Sequence, residues 1–326
     1  MKSEQKAAMY ILALAALVVL LILPRFLSIY YIHIFVLIFI YAAAAGAWNI
    51  VGGYAGQVSL GHVAFFGIGA YTSTLLWIRF GVSPWIGMFA GGILASLVAC
   101  GISYPCFKLR GPFFTLATLS FAEVLRLLCL WGRPVTGGAV GLTILYRPSW
   151  VNMQFAGKLP YYYLSLGLML FILFISLWIE RSKFGYYLTA LKENHDAAAA
   201  LGINTARYKL FATAISSFLI AICGTLKAQL ILYIEPASVF SSELSIQFAM
   251  IAVVGGAGTA LGPVLGSFLL TPLNELLRGW LGGSFQGLNF VIFGFMLIIV
   301  VTFMPNGLIS FFKYLFRKPF QKSKTN

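Results

Sequence analysis

The chain has 326 residues, 60% of them hydrophobic and only 9% charged, with a formal net charge of +14 and a mean hydropathy of +0.92. A soluble domain carries roughly 45–50% apolar and about 25% charged residues, so this composition excludes one and indicates a chain that crosses the lipid membrane several times. The basic excess lies in the short gaps and tails around apolar runs, where it sets orientation, which excludes nucleic acid as a partner.

Ten apolar segments are bounded by Pro, Gly and charged residues. They run from Ala7 to Leu23, Ile29 to Asn49, Gln57 to Ile78, Pro84 to Pro105, Phe113 to Trp131, Tyr161 to Ile179, Tyr208 to Tyr233, Ile246 to Ala260, Leu261 to Gly279 and Leu288 to Met304. Most approach the ~17–25 residues that a helix needs to cross the hydrocarbon core. Only helices satisfy their own backbone there, so the expected fold is all-α: one transmembrane domain over residues 1–326, a polytopic bundle of about ten helices with Gly-rich breaks. Lys2 and Lys6 precede the first segment, and Pro24 and Arg25 follow it without a small-residue cleavage site, so an uncleaved first span is expected.

Charge orients the bundle. The polar stretch from Glu180 to Lys209 holds five cations, and the tail of residues 313–326 holds five more at Lys313, Arg317, Lys318, Lys322 and Lys324. Both are expected in the cytoplasm, with both termini. An even number of crossings must then separate them, which splits IAVVGGAGTALGPVLGSFLL into two short segments at its glycines and Pro263. Fourteen cations fall inside by this topology and six outside, at Arg25, Arg79, Arg133, Arg147, Lys158 and Arg278. Arg126 and Lys227 remain within spans, near the outer end, where long side chains snorkel.

Two Gly-rich passages, GGYAGQVSLG at Gly52–Gly61 and GGAGTALG at Gly255–Gly262, each open a span from the cytoplasmic side. Unwound backbone at such breaks lines a solute path, with Gly56, Gln57, Ser59, Gly61 and His62 on one side and Gly255, Gly256, Gly258 and Gly262 on the other. Simple close packing of helices on small residues explains the same composition. Glu123 lies mid-span with Arg126 three residues on, so the two pair on one helix face. Glu275 and Arg278 repeat that spacing near an outer end.

No Gly-Lys-Ser/Thr closes a phosphate loop, since Gly157-Lys158 is followed by Leu159, so no ATP site and no other bound cofactor is expected in this chain. His33, His62 and His195 are scattered, and no catalytic arrangement appears. Cys100, Cys106, Cys129 and Cys223 form neither a CxxC nor a Cys/His cluster, which indicates no metal site and no disulfide framework.

Within Glu180–Lys209, Leu188, Leu191, Ala198 and Leu201 form one apolar stripe of a helix from about Tyr187 to Leu201. Lys192, Glu193 and Asp196 fall off that stripe. Gly202 stands where a C-cap is expected, and Asn204 or Thr205 caps the next helix.

In their order along the chain, GGYAGQVSLGHVAFFGIGAYTSTLL, TLATLSFAEVLRLL, VTGGAVGLT, RSKFGYYLTALKENHDAAAALGINTARYKLFA, VVGGAGTALGPVLGS and FMPNGL resemble the membrane permeases of bacterial high-affinity branched-chain amino-acid ABC transporters, in particular the LivM-type branch. The resemblance implies a transport subunit of the inner membrane that is not itself an enzyme. Its implied partners are a second homologous permease, two cytoplasmic ATP-binding subunits and a solute-binding protein docked near Gly132–Pro160. The stretch 180–209 is then similar to a coupling loop that meets the ATPase, through Phe184, Leu191, Lys192, Glu193, Asn194, Asp196, Ala198, Ala199 and Gly202. Tyr186 and Tyr187 are bulkier than that pattern. The implied cargo is leucine, isoleucine and valine; urea or short amides are the alternative within the family, and an ion-coupled transporter using Glu123 is the alternative outside it.

Overall fold

A computed structural model of the chain describes residues 3–107, 109, 111–281, 291, 294–295, 298, 302 and 307–310. Lys2, Lys108, Arg110, most of the tenth apolar segment and the basic tail 313–326 lie outside the described residues.

Among the described residues the protein is predominantly helical. In order come α1 (Ser3–Ile22), α2 (Ile29–Asn49), α3 (His62–Phe80), α4 (Pro84–Cys106), α5 (Pro112–Trp131), a single turn α6 (Arg133–Thr136) and α7 (Leu159–Arg181). There follow α8 (Lys183–Glu193), α9 (His195–Ala200), α10 (Thr205–Ile231), α11 (Pro236–Val239), α12 (Ser242–Gly256) and α13 (Gly262–Leu281). Among the described residues, seven helices are long and apolar enough to cross a membrane; they correspond to the second through eighth apolar segments, the last of them spanning α11 and α12. The first segment contributes a shorter apolar helix, Leu14–Arg25, and the ninth is α13.

The bundle is built around α2. Every residue from Val36 to Ala55 is buried, as expected of a helix that is apolar all round. Its run of Ala42–Ala45, Gly46 and Ala47 lets neighbours approach closely, and α7, α10, α12 and α13 all pack on it. A second tight group joins α3, α4 and α10. There a Cβ on Gly69 would collide with the Ala221 carbonyl oxygen, and one on Gly224 with that of Phe66. Backbone therefore lies against backbone at the α3–α10 crossing.

Three features depart from the expected pattern. The third span starts at His62 rather than Gln57, because α2 continues through a π-helical turn over Ile50–Tyr54 before the chain unwinds. The segment 132–160 is partly ordered by a two-residue antiparallel pairing of β1 (Leu142–Thr143) with β2 (Tyr233–Ile234), just beyond the end of α10. Lys227 does not snorkel: its ammonium lies 5.3 Å from the Tyr41 ring centre and 5.6 Å from that of Phe66, both buried. Division of the eighth and ninth segments is as expected, with α12 ending at Gly256 and α13 beginning at Gly262.

Gly224→Leu should destabilise the protein by about 1–3 kcal/mol through overpacking, read as a lower Tm in detergent. Gly167→Leu, where a Cβ meets nothing within 4 Å, should leave Tm unchanged or raised; equal effects at both sites would refute the close α3–α10 crossing.

Candidate functional site

The stretch 180–209 folds as two helices. Ser182 caps α8 by accepting from the Gly185 amide at 3.2 Å. Asn194 then breaks the helix with extended backbone (φ −154°, ψ 107°), and its Oδ1 accepts from the amides of Asp196 and Ala197 at 3.1 and 3.0 Å, which starts α9. This break corrects the expectation of one helix over 187–201. Leu188, Leu191 and Ala198 are buried as the stripe requires, but Leu201 is 83% exposed, because the turn at Asn194 resets the helical phase.

Gly202 adopts φ +83° as the expected left-handed cap, and the Ile203 amide closes on the Ala198 carbonyl at 3.2 Å. Asn204, rather than Thr205, caps α10 through the Arg207 amide. Tyr187 and Phe184 pack on Tyr208, with ring centres 4.8 and 6.0 Å apart. Tyr186 points out and is 67% exposed. Lys192, Glu193, Asn194, Asp196, Ala199 and Gly202 are exposed as well. The two helices thus bury one face on the bundle and present the other outward.

The C-terminal turn of α8 reaches both glycine breaks through the stem of the exposed Lys192. The Lys192 stem lies against Gly56, where a Cβ would come within 2.8 Å of Lys192 Cγ, and its ammonium is 3.4 Å from the equivalent point at Gly258. Glu180, on the last turn of α7, accepts from the Ala260 amide at 3.2 Å and from the Tyr54 hydroxyl at 3.4 Å. Asn49 joins the breaks directly. Its Oδ1 accepts from the Gly258 amide and its Nδ2 donates to the Thr259 carbonyl, both at 2.9 Å. Gly255, Gly256 and Gly262 fold the α12–α13 turn tightly, since a Cβ on Gly255 would collide with the Gly262 carbonyl oxygen. Gly307, from the FMPNGL motif, packs on Gly256.

The first break is clamped. Trp48 Nε1 donates to the Ser59 carbonyl at 2.6 Å, the Leu60 amide donates to Thr118 Oγ1 at 3.3 Å, and the Gly61 amide to Ser59 Oγ at 3.2 Å. His62 Nε2 lies 2.9 Å from Ser216 Oγ, which itself donates to the Ala47 carbonyl at 2.6 Å. Gln57 is half-buried, and its backbone N–H donates to the Val51 carbonyl at 3.1 Å. The space lined by Ser59, Gly61, His62 and Thr118 is about 10 Å³, no more than a single water needs. In this conformation the break is closed, and Thr118 of α5 covers the start of α3.

Glu123 and Arg126 do pair. Arg126 Nε donates to both carboxylate oxygens at 2.9 and 3.0 Å, and the side chains are 49% and 28% exposed respectively, on the outward face of α5. Asn49, Glu180, Tyr54 and Thr118 were not singled out by sequence reasoning. The available signal was Asn49 itself, a lone amide closing an apolar run immediately before a Gly-rich string.

Residues 30–301 match the family described as the permease component of branched-chain amino acid transport systems. Similar curated proteins include the high-affinity branched-chain amino acid transport system permease protein LivM of Escherichia coli K12, 28% identical over 94% of this chain and 76% of the relative. The ribose import permease protein RbsC of Haemophilus influenzae is 27% identical over 59% of this chain and 58% of its own length. LivH of Salmonella typhimurium, another branched-chain amino acid permease protein, is 24% identical over 83% and 91%. No solved structure matches the chain.

Asn49→Ala leaves the Gly258 amide and the Thr259 carbonyl without their partner. It should cost about 1–3 kcal/mol, measured as a lower Tm and faster proteolysis between residues 255 and 262; an unchanged Tm and cleavage rate would rule out the bridge.

Proposed function

Because the chain belongs to the family of branched-chain amino acid transport permeases, we propose that it is the membrane-spanning subunit of an ATP-binding-cassette importer carrying leucine, isoleucine and valine across the bacterial inner membrane. The observation that carries this reading is the pair α8 and α9: an exposed helical surface with one face buried on the bundle and Lys192 lying against both glycine breaks. ATP is hydrolysed on two cytoplasmic partner subunits. A second permease of the same family completes the membrane pair, a reading supported by the likeness to both LivM and LivH. A solute-binding protein docks on the opposite end of the bundle, at 132–160, and both termini are cytoplasmic.

The mechanism follows from stiffness. Glu193, Asn194, Asp196, Ala199 and Gly202 face outward with the exposed apolar groups of Tyr186 and Leu201, the composition of a helix that seats in a partner's groove. Leu191 and Ala198 face inward and tie the pair to the bundle. When the ATPases close, the push on α8 is delivered through Lys192 to Gly56 and Gly258, and through the start of α8 to Glu180. Those contacts bear on the breaks that start α3 and α13, so the closed breaks are where the movement opens a path.

The likeness to a ribose permease makes cargo the point to test. Reconstituted with its ATPases, second permease and solute-binding protein, the complex should take up leucine with ATP and not ribose; ribose uptake without leucine uptake would replace the assigned cargo. Dependence on an ion gradient with no ATPase present would instead favour the ion-coupled reading through Glu123.

Glu193→Lys reverses charge on the exposed face, and Gly202→Pro removes the amide donated to Ala199 and the left-handed cap. Each should lower ATP-driven uptake by about tenfold or more, the loss expected from one lost interface anchor, while the purified subunit keeps its Tm in Glu193→Lys. Wild-type uptake and ATPase rates in both variants would refute the coupling role.

A further inference from the structure

A cavity of about 300 Å³ opens at the end of the bundle away from α8 and α9, between α2, α3, α10, α11 and α13. Its size is at the lower bound for small-molecule sites, which run from about 300 Å³ upward. Its walls combine one ammonium, Lys227, with the carboxylates of Glu235 and Glu275. Leu37, Ile231 and Val239 supply apolar wall between them. None of this belongs to the glycine breaks or to the coupling helices.

Lys227 is the reason to assign a ligand. It sits in a span, half-buried, and turns inward over the faces of Tyr41 and Phe66. Among the described residues, no carboxylate lies within ion-pair distance of the Lys227 ammonium. A ring face attracts an ammonium but accepts no full hydrogen bond, and a charge held inside a membrane bundle needs a counter-charge. His33 lines the same cavity, and its Nδ1 is buried with no hydrogen-bond partner among the described residues.

Glu235 is fixed in place. Its Oε2 accepts from the Tyr233 hydroxyl at 3.1 Å, that hydroxyl also lies 2.8 Å from the Val140 carbonyl, and the β1–β2 pairing holds the backbone on either side. Gly141 makes this possible, since a Cβ there would come within 3.0 Å of Glu235 Cβ. The VTGGAVGLT passage, within the segment 132–160, thus serves to seat a carboxylate at the cavity.

We propose that this cavity is a binding site for a zwitterionic α-amino acid with an apolar side chain, its carboxylate on Lys227 and its ammonium on Glu235. Charge-assisted hydrogen bonds at both ends orient the solute, and the side chain lies on the aliphatic wall. A neutral sugar leaves both ionised groups without a counterpart, so the site rejects it. The site deepens the cargo assigned above and rests on that reading.

The test is direct binding of radiolabelled leucine to the assembled permease–ATPase complex in nanodiscs, with no solute-binding protein present. Wild type should bind leucine saturably, with competition by valine and isoleucine but not ribose. Lys227→Met and Glu235→Gln should each weaken binding about tenfold or more, whereas Lys227→Arg keeps most of it and shows that the site, not the fold, was lost. Absence of saturable leucine binding, equal binding in Lys227→Met and Glu235→Gln, or competition by ribose overturns the proposal. Leucine binding without ATP-driven leucine uptake upholds the site and refutes the cargo reading; uptake with no binding at this cavity does the reverse.

Discussion

The Asn49 side chain carries the constraint on which the rest depends. Backbone groups released by a helix break inside a membrane find no water, so each must be met by protein. Asn49 meets two of them at once, on Gly258 and Thr259, from the end of the most buried helix in the bundle. The first break follows five residues later in the same chain, and Gly53 lies so close to Gly258 that a Cβ would approach its amide to 2.5 Å. The two breaks are thereby one unit, although some two hundred residues separate them.

That unit explains why the polar stretch sits where it does. Glu180 closes α7 on Tyr54 and Ala260, and Lys192 reaches Gly56 and Gly258. Charged residues that look like solvated loop in the sequence are partly spent on the breaks, leaving Glu193, Asn194 and Asp196 on the outside. Splitting the stretch at Asn194 lets α8 follow the bundle while α9 turns toward α10. It also places Leu201 and Tyr186 in the open, where a stable monomer gains nothing from them.

Two intramembrane cations meet different fates. Arg126 finds Glu123 one turn away and the pair stays on the outward face of α5, where it is a local matter. Lys227 lies over aromatic faces and turns into a cavity that holds acids from other elements. Spacing of three residues decides the first case, and distant packing decides the second.

Much of the architecture was legible in the sequence. Long apolar runs, cations confined to the gaps and Gly-rich interruptions dictate an all-helical membrane bundle and a split between α12 and α13, because the bilayer leaves few alternatives. The Gly202 and Asn204 caps and the Glu123–Arg126 pair were equally readable, since each depends on neighbours within one turn. What only the tertiary structure decided were contacts between residues far apart in sequence: Asn49 with Gly258 and Thr259, Glu180 with Tyr54 and Ala260, Lys227 with Tyr41 and Phe66. The phase of α9 belongs with them, for periodicity assumes an unbroken helix and Asn194 prefers to cap a new one. In a bundle this apolar, composition tells each helix to cross the membrane, while the choice of face rests on small residues and single polar groups whose partners no local pattern names.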